Sequence, residues 1–484
     1  MIGKRASMVA LGATVLATTL VACGTDAVGN KGQITLKIWD YSAEQVEFHK
    51  KVSEQFTKEH PGIKLEWRSI AQDEYKKTLP LAFQSKQAPD IFYWSDNPPN
   101  TMAQLLSQQW IKPLHPSGKV PDDFTKRWPD GSFVEGINVS EGKAYAFPFS
   151  ENLYWGPGYM FLHNDLFKQA GLDTANPPKT WSELKAACAK IKAATKAECI
   201  ASPSKGRELQ RLWYALAAGA RTDLFFDYKN GKFSLDDPKL LETFAFIQDL
   251  QMAGYIAPGT NDKNFSRQQF AAGQAAIYFD GTWAPSVLNT LGLPSGKLTV
   301  APHPHPDGGT TGALARQFDG NKYWVGSQTT HHEAAWTFLE WMTKPDGYFV
   351  QEYFKGGFGT LAFADNKKYV SDPAVKQILK IAEQPGFRVT VPVPVLKCSD
   401  LSKSKAYLEA ISKRPDWEFE SMVEALVGGK PLGPSATALV TERNTILDAK
   451  LKEEAAAGLK VSKDCYTFPD WQYTADYGLD KYSQ

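Results

Sequence analysis

Cysteine is scarce in this 484-residue chain, with five in all, at positions 23, 188, 199, 398 and 465. None stands in Cys-x-x-Cys spacing, so neither a zinc ribbon nor a thioredoxin-like redox pair is expected. A surplus of either charge is also missing. Lys and Arg number 54 against 53 Asp and Glu, and without a basic excess nucleic acid is not an expected partner. No apolar run reaches the roughly 20 residues of an easy membrane span. There is no internal repeat and no low-complexity block. Catalytic signatures are absent too: no phosphate-binding G-x-x-x-x-G-K-S/T loop, no G-x-S-x-G elbow, no H-E-x-x-H helix. His331-His332-Glu333 has the wrong spacing for the last of these. His303 and His305 sit in a Pro-rich loop, where a metal site is not expected. No metal and no cofactor is anticipated. A pair of hydrolytic carboxylates can still meet in space, so these absences weigh against an enzyme without excluding one. What the chain does have is aromatic side chains, at 12% with 14 Trp. Such rings serve the core or a binding surface.

The N-terminus supplies an address. Lys4 and Arg5 precede an apolar run from Met8 to Ala22, and Leu20-Val21-Ala22-Cys23 is followed by Gly24. This looks like a bacterial lipoprotein signal peptide. The likeness implies a signal over 1–22, cleavage before a lipidated Cys23, and a flexible tether over 23–32. The mature chain then faces an oxidising exterior, held to the cell membrane by lipid. Four cysteines remain, with three possible pairings. Cys188 with Cys199 and Cys398 with Cys465 are favoured, because each pair lies within one stretch of chain.

Along the body, hydrophobic periodicity predicts β-α-β-α-β from Ile34 to Trp94, hence a parallel sheet. Ser42 and Gln45 have capping-box spacing ahead of a helix whose stripe is Phe48, Val52 and Phe56. A second strand-helix block begins at Tyr159, with Gly171 after its helix and a capping box at Thr180 and Glu183. A hairpin turn is expected at 229–231, a strand at 275–279, and late helices near 417–427 and 436–454.

Ligands of open α/β sheets gather at the carboxyl ends of the strands. There the sequence places Trp39-Asp40-Tyr41 and Trp94-Ser95-Asp96-Asn97. A ring covers the C–H face of a sugar, while carboxylate and amide groups take its hydroxyls. Either Trp alone could equally be core. Their recurrence at two equivalent strand ends favours binding. Asp280-Gly281-Thr282-Trp283 follows another strand, where Trp283 could face a cleft. Glu151, Asn152 and Trp155 fall at the junction of the two blocks. Trp213 reads as core or contact, Phe358 lies in a Gly-rich turn or hinge, and Trp417 opens a late helix.

These segments, in this order behind a lipobox, resemble the family 1 extracellular solute-binding proteins of ABC importers. The likeness rests on Ala88-Pro89-Asp90, Asn164-Asp165, Ala170-Gly171-Leu172 and Pro178 through Glu183. It extends to Phe270 through Ile277, Gly281-Thr282-Trp283, Phe338 through Trp341, and Glu424-Ala425-Leu426. The resemblance implies an α/β protein of two lobes, each a mostly parallel sheet flanked by helices, joined by three crossings near 149–156, 311–318 and 356–363. Lobe one would hold 31–150 and 314–360, and lobe two 151–313 and 361–484. It implies an oligosaccharide ligand, a membrane permease as partner, a monomeric state and no catalysis. By position, Trp94 and Trp283 match family aromatics. Asp96, Glu151 or Asn152, and Trp417 fall near contact positions. Other readings are the same class with a polyol, peptide or other solute, and a surface carbohydrate-active enzyme.

Overall fold

The computed structural model describes residues 32–95, 101–150, 158–203, 209–258, 262–316, 320–412, 422 and 430–482. The leader with Cys23, and the site candidates Asp96, Asn97, Glu151, Asn152, Trp155 and Trp417, lie outside these residues, as does most of the helix expected at 417–427. Among the described residues no helix is long and apolar enough to cross a membrane.

Two sheets organise the chain. The first runs Ile63–Ser69, Ile34–Asp40, Ile91–Tyr93, Tyr323–Gly326, Ile111–Lys112 in spatial order. Its first three strands are parallel, as the β-α-β pattern predicts. The second runs Leu298–Pro302, Tyr159–His163, Ala275–Asp280, Glu198–Ala201. Both sheets are mostly parallel, as expected, with one reversed strand in each. Tyr323–Gly326 is antiparallel to both its neighbours, and so is Tyr159–His163. Each of these strands starts just after the chain has passed between sheets. A strand that begins at the seam must run away from it, opposite to strands that end there.

Helices cover both faces of the first sheet. Phe48, Val52 and Phe56 of the helix Val46–Glu59 are buried with Phe338 and Trp341 on one side. Tyr75, Leu79 and Phe83 of the helix Gln72–Gln84 pack with Trp94 and Trp324 on the other. A larger core fills lobe two, around Trp181, Trp213, Phe244 and Leu447. The Thr180–Glu183 capping box forms with both of its hydrogen bonds. The one expected at Ser42 does not. The Ser42 amide turns back to the Asp40 carboxylate, a 3-10 turn occupies Ala43–Gln45, and the α-helix starts at Val46.

Leu361, Phe363 and Val370 belong to the first core, and the helix Pro373–Ala382 spans both cores, with Val375 in the first and Ala374 and Ile378 under the second sheet. The C-terminal segment lies across the strand pair Leu314–Arg316 and Arg388–Thr390. Phe468, Trp471 and Tyr477 bury Ala315 and Val391. The four described cysteines are bonded as Cys188–Cys199 and Cys398–Cys465, with Cα–Cα separations of 5.0 and 5.5 Å.

Candidate functional site

The carboxyl ends of the first sheet deliver hydroxyl groups to the seam between the lobes. Tyr41 and Ser95 follow the strands Ile34–Asp40 and Ile91–Tyr93, and their hydroxyls stand 3.1 Å apart. Tyr93 packs edge-on against Tyr41 and against Tyr323, at 4.8 and 5.4 Å between ring centroids. Tyr75 donates its hydroxyl hydrogen to the Tyr93 carbonyl, and the Lys322 ammonium lies over the Tyr93 ring. Burial pushes the phenols of Tyr75, Tyr93 and Tyr323 well above their usual range. They stay neutral and keep their hydrogens. On the hinge side, Tyr353 donates to the Phe358 carbonyl, and the Phe358 ring rests on Phe48 and Tyr353.

The second sheet faces this floor with the end of the strand Ala275–Asp280. Asp280 is fully buried and takes hydrogen bonds from Arg267, Arg211, Tyr278 and the Gly281 amide. Burial works against its charge, but Arg267 and Arg211 hold the carboxyl below its ordinary range. The turn after it brings Trp283 back over Gly281. A Cβ on Gly281 would sit 2.4 Å from that ring, so only glycine allows the fold-over. Trp283 stays half-buried at the head of the helix Ala284–Thr290, which packs against the Ala43–Gln45 turn of lobe one. Gly359 has φ +122°, and a Cβ there would lie 3.4 Å from the Thr282 hydroxyl.

The structure thus brings Tyr41, Trp283 and Phe358 to the seam, buries Trp94, Trp213 and Asp40 inside the lobes, and leaves Trp39 half-buried. Trp39 is half-buried beneath the Arg68 guanidinium, 4.6 Å from its ring. Trp94 is only 7% exposed, packed with Tyr75 and Trp110 in the first lobe. Trp213 is fully buried against Phe225 and Phe244. Asp40 is fully buried as well, its carboxylate accepting from the Ser69 hydroxyl at 2.6 Å. Trp94, Trp213 and Asp40 are thus buried, whereas Trp39 keeps the same half-buried state as Trp283. Tyr93, Tyr323, Lys322 and Tyr353 were not anticipated from sequence. His303 is a core residue, its ring against Phe387 and the Gly158 carbonyl.

Asp40 has a second role. His49, stacked on Trp67 at 3.9 Å, places its Nε2 3.3 Å from the Asp40 carboxyl without hydrogen-bond alignment. Burial raises Asp40 to about 7 and lowers His49 to about 3. The pair is therefore neutral when folded. Unfolded, between pH 4 and 6.5, the Asp is ionised and the His protonated. Folded and unfolded forms then carry the same number of protons, so the pair gives stability no pH slope there. Asp40→Asn breaks that balance. Its stability should fall on acidification from pH 6.5, by about 1.4 kcal/mol per pH unit, because only the unfolded chain gains the His proton. His49→Gln should show the reverse, with stability falling as pH rises from 4 to 7. Denaturant melts at pH 5 and 6.5 read both. Equal slopes in all three proteins would exclude the neutral pair.

Comparison with known proteins now decides the family. A family model described as bacterial extracellular solute-binding protein matches residues 39–348. This chain belongs to that family. The solute-binding protein is 25% identical over 335 residues to a putative binding protein of Brucella abortus, covering 65% of this chain and 73% of the relative. Its fold matches the GacH receptor of Streptomyces glaucescens, solved unliganded and with acarbose, at a TM-score of 0.62 and 18% identity. That match covers 86% of this chain and 98% of the receptor. It also matches an ABC transporter solute-binding protein of Thermotoga lettingae bound with α-D-tagatose, at a TM-score of 0.65 and 19% identity. There the cover is 86% of this chain and 100% of the other.

Proposed function

We propose that this solute-binding protein captures an oligosaccharide between its lobes and delivers it, unaltered, to the permease of an ABC importer. The reading is carried by the seam itself. Neutral hydroxyls of Tyr41, Ser95 and Tyr93 lie on one side and the half-buried ring of Trp283 on the other. That is the combination a polyhydroxylated ring asks for: a flat apolar face and directional donors and acceptors. The acarbose and tagatose bound by the two structural relatives support it. Asp96, Asn97, Glu151, Asn152, Trp155 and Trp417 would add contacts at the same cleft. Ligand contacts drawn from both lobes favour closure, since a solute shifts the equilibrium only by its differential affinity for the two forms.

In this proposal residues 1–22 are a signal peptide and Cys23 carries the lipid. The protein works as a monomer on the outer face of the cytoplasmic membrane, where both disulfides persist. Lobe one comprises 31–150 with 314–360, and lobe two 151–313 with 361–484.

A thermal-shift panel tests the ligand class. Di- to hexasaccharides of varied linkage, monosaccharides, polyols, glycerol phosphates and peptides are offered to the mature protein. A sugar at a hundred times its Kd should stabilise by about 2.7 kcal/mol and be recovered intact. Trp283→Ala should weaken that sugar by about tenfold to a hundredfold with the melting temperature unchanged, as for a partly exposed aromatic contact. A response confined to peptides or phosphates would overturn the sugar reading, and product formation the binding-only reading.

A further inference from the structure

Lobe two carries an open groove of about 810 Å³ that the ligand reading does not use. It lies where the strands Glu198–Ala201 and Ala275–Asp280 begin, beside the last turns of the helices Asn164–Gln169, Trp181–Ala194 and Lys263–Ala271. The cleft lies past Asp280, at the other end of the same sheet. The six residues of that strand set the two about 17 Å apart. Most of the polar groups in the groove are neutral: the carboxamides of Gln169, Gln269 and Gln274 and the hydroxyl of Thr195. Leu166 and Ala197, both buried, add apolar lining. The two charged lining residues, Lys196 and Glu198, are opposite in sign, and Glu198 is already paired with Lys192 at 2.6 Å. No aromatic ring lines the groove among the described residues. Gln269 is only 9% exposed. Its Nε2 donates to the Pro258 carbonyl at 3.3 Å, which fixes the orientation of the amide, and its Oε1 has no hydrogen-bond partner in the protein. A buried acceptor without a partner is a standing cost to the fold, and a donor entering the groove removes it.

We infer that this groove takes an extended peptide segment with small side chains, presented by another protein. Each carboxamide offers an acceptor and two donors, the complement of a peptide unit's N–H and C=O. The balanced charge favours neither an anion nor a cation. The missing ring removes the platform on which a sugar would stack. Small apolar lining residues suit alanine-sized side chains. The hydrogen-bonding groups address a backbone rather than chain ends, so an internal segment suffices. The groove does not rest on the sugar reading of the cleft.

Saturation-transfer NMR with acetylated, amidated tetra-alanine tests this on ligand-free mature protein. Saturable binding is expected, weak for so few contacts. Gln269→Leu removes the buried acceptor, and Ala194→Trp fills the groove from an exposed lining position. Each should weaken the peptide by about tenfold. Ala194→Trp alters only the exposed last turn of a helix, so it keeps the fold even if Gln269→Leu does not. Tetra-alanine with free ends should bind no better than the capped form. No saturable binding by the wild type, binding that both variants leave unchanged, a need for free ends, or a glucose tetramer bound there in preference to peptide would each overturn the inference. Both variants should keep the wild-type response to sugars, so the groove and the cleft readings can fail separately.

Discussion

Arg221→Met should lower stability by about 3–5 kcal/mol, the usual cost of removing one partner of a buried ionic group. Arg221 is 7% exposed and bonds Asp223 and Asp237, with Asp227 at 3.4 Å. Three carboxylates share one guanidinium, whose far face lies over Tyr473. Methionine fills the volume but leaves the carboxylates facing one another. Even with its arginine, burial pushes Asp223 up to about 6. In the variant that carboxyl rises further. The folded form then holds a proton that the unfolded chain releases near pH 4, so the deficit should shrink as pH falls from neutrality toward 5. Urea unfolding at pH 7.5 and 5 measures both effects. A loss under 1 kcal/mol, or one that grows on acidification, would show that the cluster is solvated.

Removal of Cys398 and Cys465, as a double alanine variant, should cost about 4 kcal/mol. The pair spans 67 residues, and the chain-entropy model gives about that for a loop of this length. The expected fall in melting temperature is about 7 °C for a lobe of nearly three hundred residues. The corresponding loss at Cys188–Cys199, over 11 residues, is about 3 kcal/mol. The two differ in place as well as size. Cys465 anchors the segment whose Phe468, Trp471 and Tyr477 cover the passage strand Leu314–Arg316. Its loss should expose the last twenty residues to limited proteolysis, whereas loss of Cys188–Cys199 should not. Identical cleavage patterns would mean that packing alone secures the tail.

Local signals were legible wherever the backbone alone decides. The stripe of Phe48, Val52 and Phe56, the Thr180–Glu183 box and Gly171 at φ +66° all stand where sequence puts them. Ser42 misled because a competing acceptor, the Asp40 carboxylate, lies two residues back. Site residues were legible only in part. A Trp at a strand end can face the seam or the sheet's flank, and which one holds depends on pleat and on what lies across it. Arg68 over Trp39 and Trp110 beside Trp94 are long-range contacts that no local pattern announces. Tyr323 and Lys322 reach the site on a strand inserted from far down the chain, so their neighbours are set by topology rather than spacing.

That inserted strand governs the order of assembly. Tyr323–Gly326 lies between Ile91–Tyr93 and Ile111–Lys112, and Trp324 bonds the Trp94 carbonyl across 230 residues. A chain emerging N-terminus first cannot finish its first sheet until the whole second sheet has been made. Closing so long a loop slows folding. For an extracellular solute-binding protein, that delay lengthens the time in which the chain is still unfolded and open to export.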